Sequence, residues 1–267
     1  MDHPYLTDFD LELIRVLSTD LLFVTTRIVA QLFPTTPARS IRHRIHKLVE
    51  RKYLSQRLYP SSYPVPKLPL YLAGSQARMA LPKPPPEAAF LAHRKRAIYM
   101  KDTAIPHSLL IQTAHARLLS ETRQSGSPQL LTWIPSYDPL WDELHDYGFS
   151  LNPDAYMEIR IEGIIQPFFL EIDAGTERGA SLKTKFQAYH DYASSGTFQH
   201  HFSAPSFRVL FVTTTLRRIQ HLTPGLARYA PQLFWLAPLD TFLTSALLHP
   251  YWTAPPADTF QSLTAPF

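Results

Sequence analysis

Proline restricts this chain more strongly than any other residue type. The sequence has 25 prolines and only 8 glycines among its 267 residues, whereas typical proteins hold roughly 5% proline and 7% glycine. Because proline lacks a backbone N–H and disrupts a helix interior, long uninterrupted helices are limited. The few glycines form neither a G-x-G-x-x-G nor a G-x-x-x-x-G-K-[ST] run. The ordinary dinucleotide-binding fold and the P-loop enzymes are therefore excluded.

The densest proline segment, residues 82–86 with the sequence PKPPP, predicts a domain boundary because such a run is stiff and extended. We expect a DNA-binding domain over residues 1–81, a linker and helix over 82–104, an α/β domain over 105–240 and a Pro-rich C-terminal tail over 241–267. The balance of basic and acidic residues also changes at this boundary. Residues 1–81 hold 11 Lys and Arg against 6 Asp and Glu, whereas the remainder holds 15 against 16.

The chain has no cysteine, which excludes a disulfide scaffold, a thiol nucleophile, an iron–sulfur cluster and cysteine-ligated zinc. Its first residues carry acidic side chains where a signal peptide would carry positive charge. No stretch reaches the roughly 18 apolar residues that a membrane span needs. We therefore expect a cytoplasmic protein that does not associate with a membrane.

The first 81 residues predict three helices followed by two short strands. Apolar residues recur at helical spacing over residues 9–17 and 21–33. The third helix has an apolar stripe formed by Ile41, Ile45, Leu48 and Val49. Residues 53–59 and 68–73 are predicted to form the strands. This order of elements is the outline of a winged helix-turn-helix.

The predicted third helix carries positive charge opposite its apolar stripe. Seven Lys and Arg residues and one acid, Glu50, lie between Arg39 and Arg57. A helix of this charge can lie in a DNA major groove while the following strands contact phosphate. The candidate DNA-binding residues are Arg39, Arg42, His43, His46, Lys47, Arg51 and Arg57. The alternative is that these side chains form the solvated face of an ordinary surface helix.

The second part of the chain predicts an α/β layer fold. A helix over residues 105–124 is followed by strands over 130–134, 155–161 and 167–172, a helix over 182–193 and a strand over 207–213. Residues 167–172 are continuously apolar, which is typical of a buried central strand. One more strand is expected over residues 233–236.

Three carboxylates lie at the ends of the predicted strands. Asp154 precedes the strand over 155–161, and Glu171 and Asp173 end the next one. Because residues i and i+2 of a strand point to the same face, Glu171 and Asp173 project together, and Asp154 can join them from a neighbouring strand. Such a cluster normally implies Mg²⁺ or a similar cation that activates water beside a scissile phosphate. The alternative is an Asx-capped turn at Asp173 and a surface acid at Glu171.

Several segments of the chain resemble a known family. They are the helix-turn-helix start, LYLAG at 70–74, the helix containing His107, NPD at 152–154, FFLEIDAGTE at 168–177, and the K-x-x-x-Y spacing from Lys185 to Tyr189. Over residues 8–195 the chain resembles the replication-relaxation family of plasmid and mobile-element proteins. The second domain in turn resembles the PD-(D/E)XK nuclease superfamily, whose core has the same order of one helix, three strands, one helix and one strand.

This resemblance implies that Asp154 and Glu171 are the first and second acids of the nuclease motif. The sequence departs from the motif two residues later, where Asp173 stands in place of the superfamily's lysine. A lysine from the following helix can supply the missing charge. Lys183 and Lys185 lie about 200° apart on a helical wheel, so at most one faces the acids, and Lys185 matches the family spacing.

The leading hypothesis is a DNA-binding protein of a plasmid or another mobile element, with double-stranded DNA as its partner. In its enzymatic form, a metal-dependent DNA endonuclease, Asp154, Glu171 and Asp173 bind Mg²⁺ or Mn²⁺, and Lys185 stabilises charge during phosphodiester hydrolysis. Two alternatives stay open: a non-catalytic DNA-binding adaptor with a degenerate nuclease fold, and a transcriptional regulator whose second domain senses a ligand. Replication or mobilisation proteins and a second copy of the chain are further candidate partners.

Overall fold

The chain is a mixed α+β protein with two separate sheets. The computed structural model describes residues 5–60, 67–146, 148–149, 151–175, 179–202, 204–229, 232–256 and 259–264. The chain divides into two compact units, Met1–Ser120 and Glu121–Phe267. No helix within these described ranges is long and apolar enough to cross a membrane.

The first unit is mostly helical and contains one antiparallel strand pair. Its elements are α1 (Asp8–Thr19), α2 (Thr26–Leu32), α3 (Ala38–Glu50), β1 (Leu54–Tyr59), β2 (Leu68–Ala73), α4 (Ala77–Ala80), α5 (Glu87–Tyr99) and the larger part of α6 (Ile105–Ser125). β1 and β2 pair with Leu54 opposite Ala73. The buried faces of α1, α2 and α3 pack together into one apolar core, so the amphipathic patterns of the sequence are satisfied within this unit.

Two local features set where the first helices begin. Thr7 and Asp10 form a capping box at the start of α1. α2 begins only at Thr26, whereas the apolar pattern predicted a helix from residue 21. The reason is that Val24 pairs with Tyr71 of β2 and the Thr25 side chain caps the helix.

The first unit extends beyond the predicted boundary at residues 82–86, because α5 and α6 hold the turn that follows α1. Gln112 accepts a 2.9 Å hydrogen bond from the Leu22 backbone N–H, and a His93 ring nitrogen lies 3.1 Å from the Leu21 carbonyl oxygen. His115 is buried and bonds the backbone of Asp20, and burial lowers its pKa to about 3. These side chains satisfy backbone groups that no helix or strand satisfies.

Gly74 marks a close approach between the end of β2 and the turn after α3. A Cβ at this position would lie 2.1 Å from the Lys52 carbonyl oxygen, and the Gly74 N–H donates a 2.9 Å hydrogen bond to Tyr53. We expect Gly74→Ala to lower the free energy of unfolding by about 1–3 kcal/mol, because a backbone oxygen cannot move aside. Urea denaturation followed by circular dichroism measures this change.

Gly225→Ala is the matched control for Gly74→Ala. Gly225 lies in a helix of the second unit, and a Cβ added there would meet nothing within 4 Å. Alanine favours a helix interior over glycine by about 0.5–1 kcal/mol, so this variant is expected to be neutral or slightly more stable. Equal urea midpoints for the two variants would contradict the close packing at Gly74.

The second unit is built around a five-stranded sheet. Its elements are β3 (Gln129–Pro135), α7 (Leu140–Asp146), β4 (Ala155–Ile161), β5 (Ile164–Asp173), α8 (Gly179–Ser194), α9 (Thr197–Phe202), β6 (Arg208–Thr213), α10 (Leu216–Tyr229), β7 (Phe234–Pro238) and α11 (Leu239–Thr244). The strand order is β3-β4-β5-β6-β7. β3, β4 and β5 pair antiparallel, whereas β5, β6 and β7 pair parallel. β5 is therefore the central strand, and its last eight residues are all buried.

The segment predicted as a C-terminal tail, residues 241–267, contributes to the core of the second unit. Leu247 and Trp252 are completely buried. Thr253 pairs with Leu236 of β7 through two backbone hydrogen bonds of 2.9 Å. Several apolar side chains of this segment are thus removed from solvent, which explains why a Pro-rich sequence packs as part of the unit.

Candidate functional site

A buried carboxylate lies near the carboxyl end of β5, the central strand of the second unit. Glu171 is only 3% exposed. Its Oε2 accepts a 2.7 Å hydrogen bond from the Lys185 ammonium group, and its Oε1 accepts a 2.6 Å hydrogen bond from the Tyr189 hydroxyl. Lys185 and Tyr189 are four residues apart on α8 and therefore lie on one side of that helix. Lys183 is exposed, so Lys185 is the one of these two lysines that reaches an acid.

Burial dominates the electrostatics of this carboxylate. Loss of hydration raises the pKa of Glu171 to about 7, while the positive charge of Lys185 acts in the opposite direction. The negative charge of Asp154 raises this pKa further, and the Tyr189 hydrogen bond lowers it. Lys185 is therefore the main group that favours the ionised form of Glu171.

The pairing of β4 with β5 brings Asp154 next to Glu171. Ala155 lies opposite Leu170 in the antiparallel register, so the residue before β4 faces the residue after Leu170. Asp154 Oδ2 accepts a 2.7 Å hydrogen bond from the Ile172 backbone N–H. This bond fixes the Asp154 side chain against β5.

Asp173 contacts a different set of groups. Its Oδ1 accepts a 2.8 Å hydrogen bond from the Gly175 N–H, which is an Asx turn. Its Oδ2 accepts a 2.8 Å hydrogen bond from the Thr213 hydroxyl at the end of β6 and forms a salt bridge with Arg218 of α10. Arg218 was not among the predicted site residues. In the sequence, Arg218 is indicated only by its place in a pair of adjacent arginines shortly after the predicted buried strand over 207–213.

The three carboxylates do not form the predicted metal-binding cluster. Within the described part of the chain, no three His, Asp or Glu side chains are grouped so that they could hold a metal ion. Both Glu171 oxygens and both Asp173 oxygens accept hydrogen bonds from protein donors. Lys185 and Arg218 supply the positive charge that a cation would supply. The residues present therefore do not fit a preformed Mg²⁺ or Mn²⁺ site.

The exposed side of α3 is the second candidate site. Arg39, Arg42, His43, His46 and Lys47 are exposed, as is Arg51 at the end of the helix, whereas Ile41, Ile45 and Leu48 on the opposite side are buried. We call these six exposed residues the basic face of α3. Glu50, the one acid of this helix, lies 3.4 Å from His46 Nδ1. The basic face therefore offers accessible positive charge along the whole helix.

Two arginines near this face are used inside the first unit instead. Arg57, which was predicted to contact DNA, donates a 3.1 Å hydrogen bond to the Ile98 carbonyl and pairs with Asp102. It therefore holds β1 against the end of α5 and is not part of the basic face. Arg44, which was not predicted, donates a 2.8 Å hydrogen bond to the fully buried Asp10. In the sequence, this pair could have been inferred from Asp10, an acidic residue within the apolar pattern of α1.

A family model matches the part of the chain that contains the basic face of α3 and the three carboxylates. The replication-relaxation model matches residues 16–204, which is well over half of the chain. The chain belongs to the replication-relaxation family. The resemblance predicted from the sequence motifs is thereby confirmed. No curated protein and no solved structure matches the chain at a significant level.

The family match covers the two sites unequally. It contains the whole basic face of α3 and the pair formed by Glu171 and Lys185, but it ends before β6. Arg218, the partner of Asp173, thus lies beyond the matched residues. Thr176 and Glu177, the last two residues of the FFLEIDAGTE motif, lie outside the described residues.

Proposed function

We propose that this replication-relaxation protein binds double-stranded DNA through the basic face of α3 and acts in replication-related processing of plasmid or other mobile-element DNA. The proposal rests on one observation, the separation of basic and apolar side chains onto opposite sides of α3. Five exposed basic or histidine side chains within α3 lie opposite three buried apolar ones. A helix fits the major groove of duplex DNA, and accessible Lys and Arg neutralise its phosphates.

The arrangement of the first unit supports this proposal. α1, α2 and α3 precede the antiparallel pair of β1 and β2, which is the element order of a winged helix-turn-helix. In that motif α3 is the recognition helix, and the connection between β1 and β2 is the wing. Residues 61–66 of this connection lie outside the described residues, and the exposed Lys67 follows them.

We infer that the second unit is a PD-(D/E)XK-like fold that does not cleave DNA. In the second unit β3, β4, β5, α8 and β6 follow one another with only α7 and α9 inserted, which is the superfamily's core order of three strands, one helix and one strand. The helix that precedes them, α6, lies mostly in the first unit. The motif's lysine position holds Asp173, which is neutralised by Arg218, and Lys185 is engaged with Glu171. Such a unit can hold DNA or a replication protein without hydrolysing a phosphodiester bond.

We expect the purified full-length protein to shift duplex DNA in a gel without nicking supercoiled plasmid in Mg²⁺ or Mn²⁺. The physical reason is that the carboxylate oxygens that would bind the metal are occupied by protein donors. Conversion of supercoiled to open-circular plasmid measures nicking.

Two variants separate the outcomes of this experiment. Nicking by the wild type that disappears in both Asp154→Ala and Glu171→Ala would overturn the non-cleaving assignment of the second unit. Nicking that survives in both variants would indicate a contaminating nuclease. Failure to shift duplex DNA at low salt would reject the DNA-binding proposal itself, whatever the result with plasmid.

A further inference from the structure

Positive charge also accumulates on α5, the helix that follows the strand pair of the first unit. Residues 88–101 hold four Lys and Arg residues and no Asp or Glu. Lys95 and Lys101 are exposed, and within the described part of the chain neither ammonium group forms an ion pair or a hydrogen bond. The flanking acids are Glu87, at the other end of α5, and Asp102, which is paired with an arginine of β1. The C-terminal end of α5 therefore presents accessible positive charge.

This charge lies on the solvent side of α5 together with an exposed aromatic ring. Phe90 and Ala97 are on the buried side, whereas Lys95 and Tyr99, four residues apart, lie on the exposed side. A shallow depression of about 480 Å³ at this end of the helix is lined by Ala92, Lys95, Arg96, Tyr99 and Met100. Tyr99 is 73% exposed, so its ring and its hydroxyl are both available to a partner. A partner that enters the depression meets a cation beside an aromatic ring.

Two hydrogen bonds hold α5 along the strand pair, with its C-terminal end toward the wing. Arg94 donates a 3.1 Å hydrogen bond to the carbonyl of Ala73, the last residue of β2. One turn later, the Ile98 carbonyl accepts a 3.1 Å hydrogen bond from Arg57. Arg57 lies opposite Leu70, which is three residues, or about 10 Å, closer to the wing than Ala73. α5 therefore runs beside the strands, and its positively charged end is the end nearer the wing.

The C-terminal end of a helix ordinarily repels anions, since its last carbonyl groups carry partial negative charge. In α5 this charge is compensated, because the Arg57 guanidinium donates to the Ile98 carbonyl and Lys95 lies close to the end of the helix. Arg57 thus supports this surface from within the first unit and does not itself have to contact a ligand. The end of α5 is thereby suited to an anionic partner.

We propose that the C-terminal end of α5 is a second DNA-binding surface, at which Lys95 and Lys101 contact phosphates of the duplex that α3 binds and Tyr99 packs against the DNA backbone. The proposal rests on the DNA binding proposed for α3 and extends it. Charge complementarity identifies the partner, because duplex DNA carries one negative charge per roughly 1.7 Å of its axis. Lysine and tyrosine side chains are both suited to phosphate contacts. Such contacts add affinity without selecting a sequence.

Fluorescence anisotropy of the full-length protein with a labelled duplex tests this second surface. Lys95→Ala with Lys101→Ala is expected to weaken binding roughly tenfold at low salt and to reduce the slope of log affinity against log salt by about 2. The loss is expected to be the same factor on duplexes of different sequence, because phosphate contacts do not read bases. Lys95→Arg with Lys101→Arg keeps both charges and is expected to restore the affinity and the slope.

Tyr99→Ala tests the aromatic part of the surface and is expected to weaken binding several-fold. Leu91→Ala is the matched control, because Leu91 is also exposed and lies two turns earlier on the same helix, and unchanged affinity is expected for it. Melting temperatures verify that these variants are folded. Unchanged binding in both Tyr99→Ala and the lysine-to-alanine double variant would overturn the proposal.

The outcomes separate this surface from the one proposed on α3. Wild-type protein that does not bind duplex DNA at low salt would reject both surfaces. Binding that is weakened by Arg42→Ala with Lys47→Ala, but by none of the α5 substitutions, would overturn the second surface alone. A loss of affinity in the α5 lysine double variant with an unchanged salt slope would show that no phosphate contact was removed, and would also overturn it.

Discussion

Replacing Arg42 and Lys47 together by alanine is expected to weaken duplex DNA binding on the order of a hundredfold at low salt. Both side chains are exposed on the basic face of α3, so their loss removes phosphate contacts without opening the core. Each phosphate contact contributes about 0.9 to the slope of log affinity against log salt. Fluorescence anisotropy of a labelled duplex at several salt concentrations is expected to show this slope reduced by about 2.

The control removes the same charge elsewhere. Arg160→Ala with Lys183→Ala changes two exposed residues of the second unit, and little change in affinity or slope is expected. Exposed substitutions of this kind usually alter stability by about 0.5 kcal/mol or less, so melting temperatures verify that both double variants are folded. Equal loss of affinity in the two double variants, or no loss in the α3 variant, would show that α3 is not the DNA-binding surface.

Lys185→Met is expected to lower the free energy of unfolding by about 3 kcal/mol at pH 8, since it leaves the buried Glu171 carboxylate without its counter-ion. This loss of unfolding free energy is at the lower end of the range expected when a buried ion pair is broken, because the Lys185 side chain is 26% exposed. Methionine keeps most of the apolar stem, so the loss reports the charge and not the packing. Urea denaturation of the full-length protein measures it.

The effect of Lys185→Met is expected to depend on pH. The folded-state pKa of Glu171 is raised from its ordinary value of 4.5 to about 7, so this group favours the folded state fully below pH 4.5 and progressively less as the pH rises through 7. Removing Lys185 raises this pKa further, so the loss of stability continues to more alkaline pH. At pH 5 Glu171 is mostly protonated in the folded protein, and the deficit of the variant is expected to shrink.

Two further variants identify the source of this effect. Lys183→Met, on the exposed side of α8, is expected to be close to neutral at every pH. Adding Glu171→Gln to Lys185→Met removes the buried charge and is expected to abolish the extra pH dependence. Equal stability of Lys183→Met and Lys185→Met at pH 8 would contradict a stabilising pair between Lys185 and Glu171.

The same contacts underlie the stability of the second unit and the expected absence of cleavage. Lys185 and Arg218 neutralise Glu171 and Asp173 from two different helices, α8 and α10. A metal ion at this place would have to displace at least one of these cations and its hydrogen bonds. Breaking such a buried ion pair is energetically unfavourable. The arrangement therefore favours a structural role for the acids.

Regular periodicity in the sequence predicted many elements well. β4 has the predicted bounds, Ala155–Ile161, and the apolar run over 167–172 lies within the buried central strand β5. The amphipathic helix α10 was missed because its sequence contains Pro224 and Gly225, which argue against a helix interior. The domain boundary was predicted at residues 82–86 because prolines are densest there. A stiff proline segment, however, does not indicate whether the helices on either side of it pack together.

The sequence by itself determined the family, the segregation of charge and apolar residues on α3, and the positions of Asp154, Glu171 and Asp173 at strand ends. These properties depend on residue type and on spacing along a single helix or strand, and both can be read directly from the amino-acid sequence. Only the tertiary structure decided which cation meets each acid. Arg218 reaches Asp173 and Arg57 reaches Asp102 across 45 residues each, and a Coulomb interaction depends on distance through space, which a linear sequence does not contain.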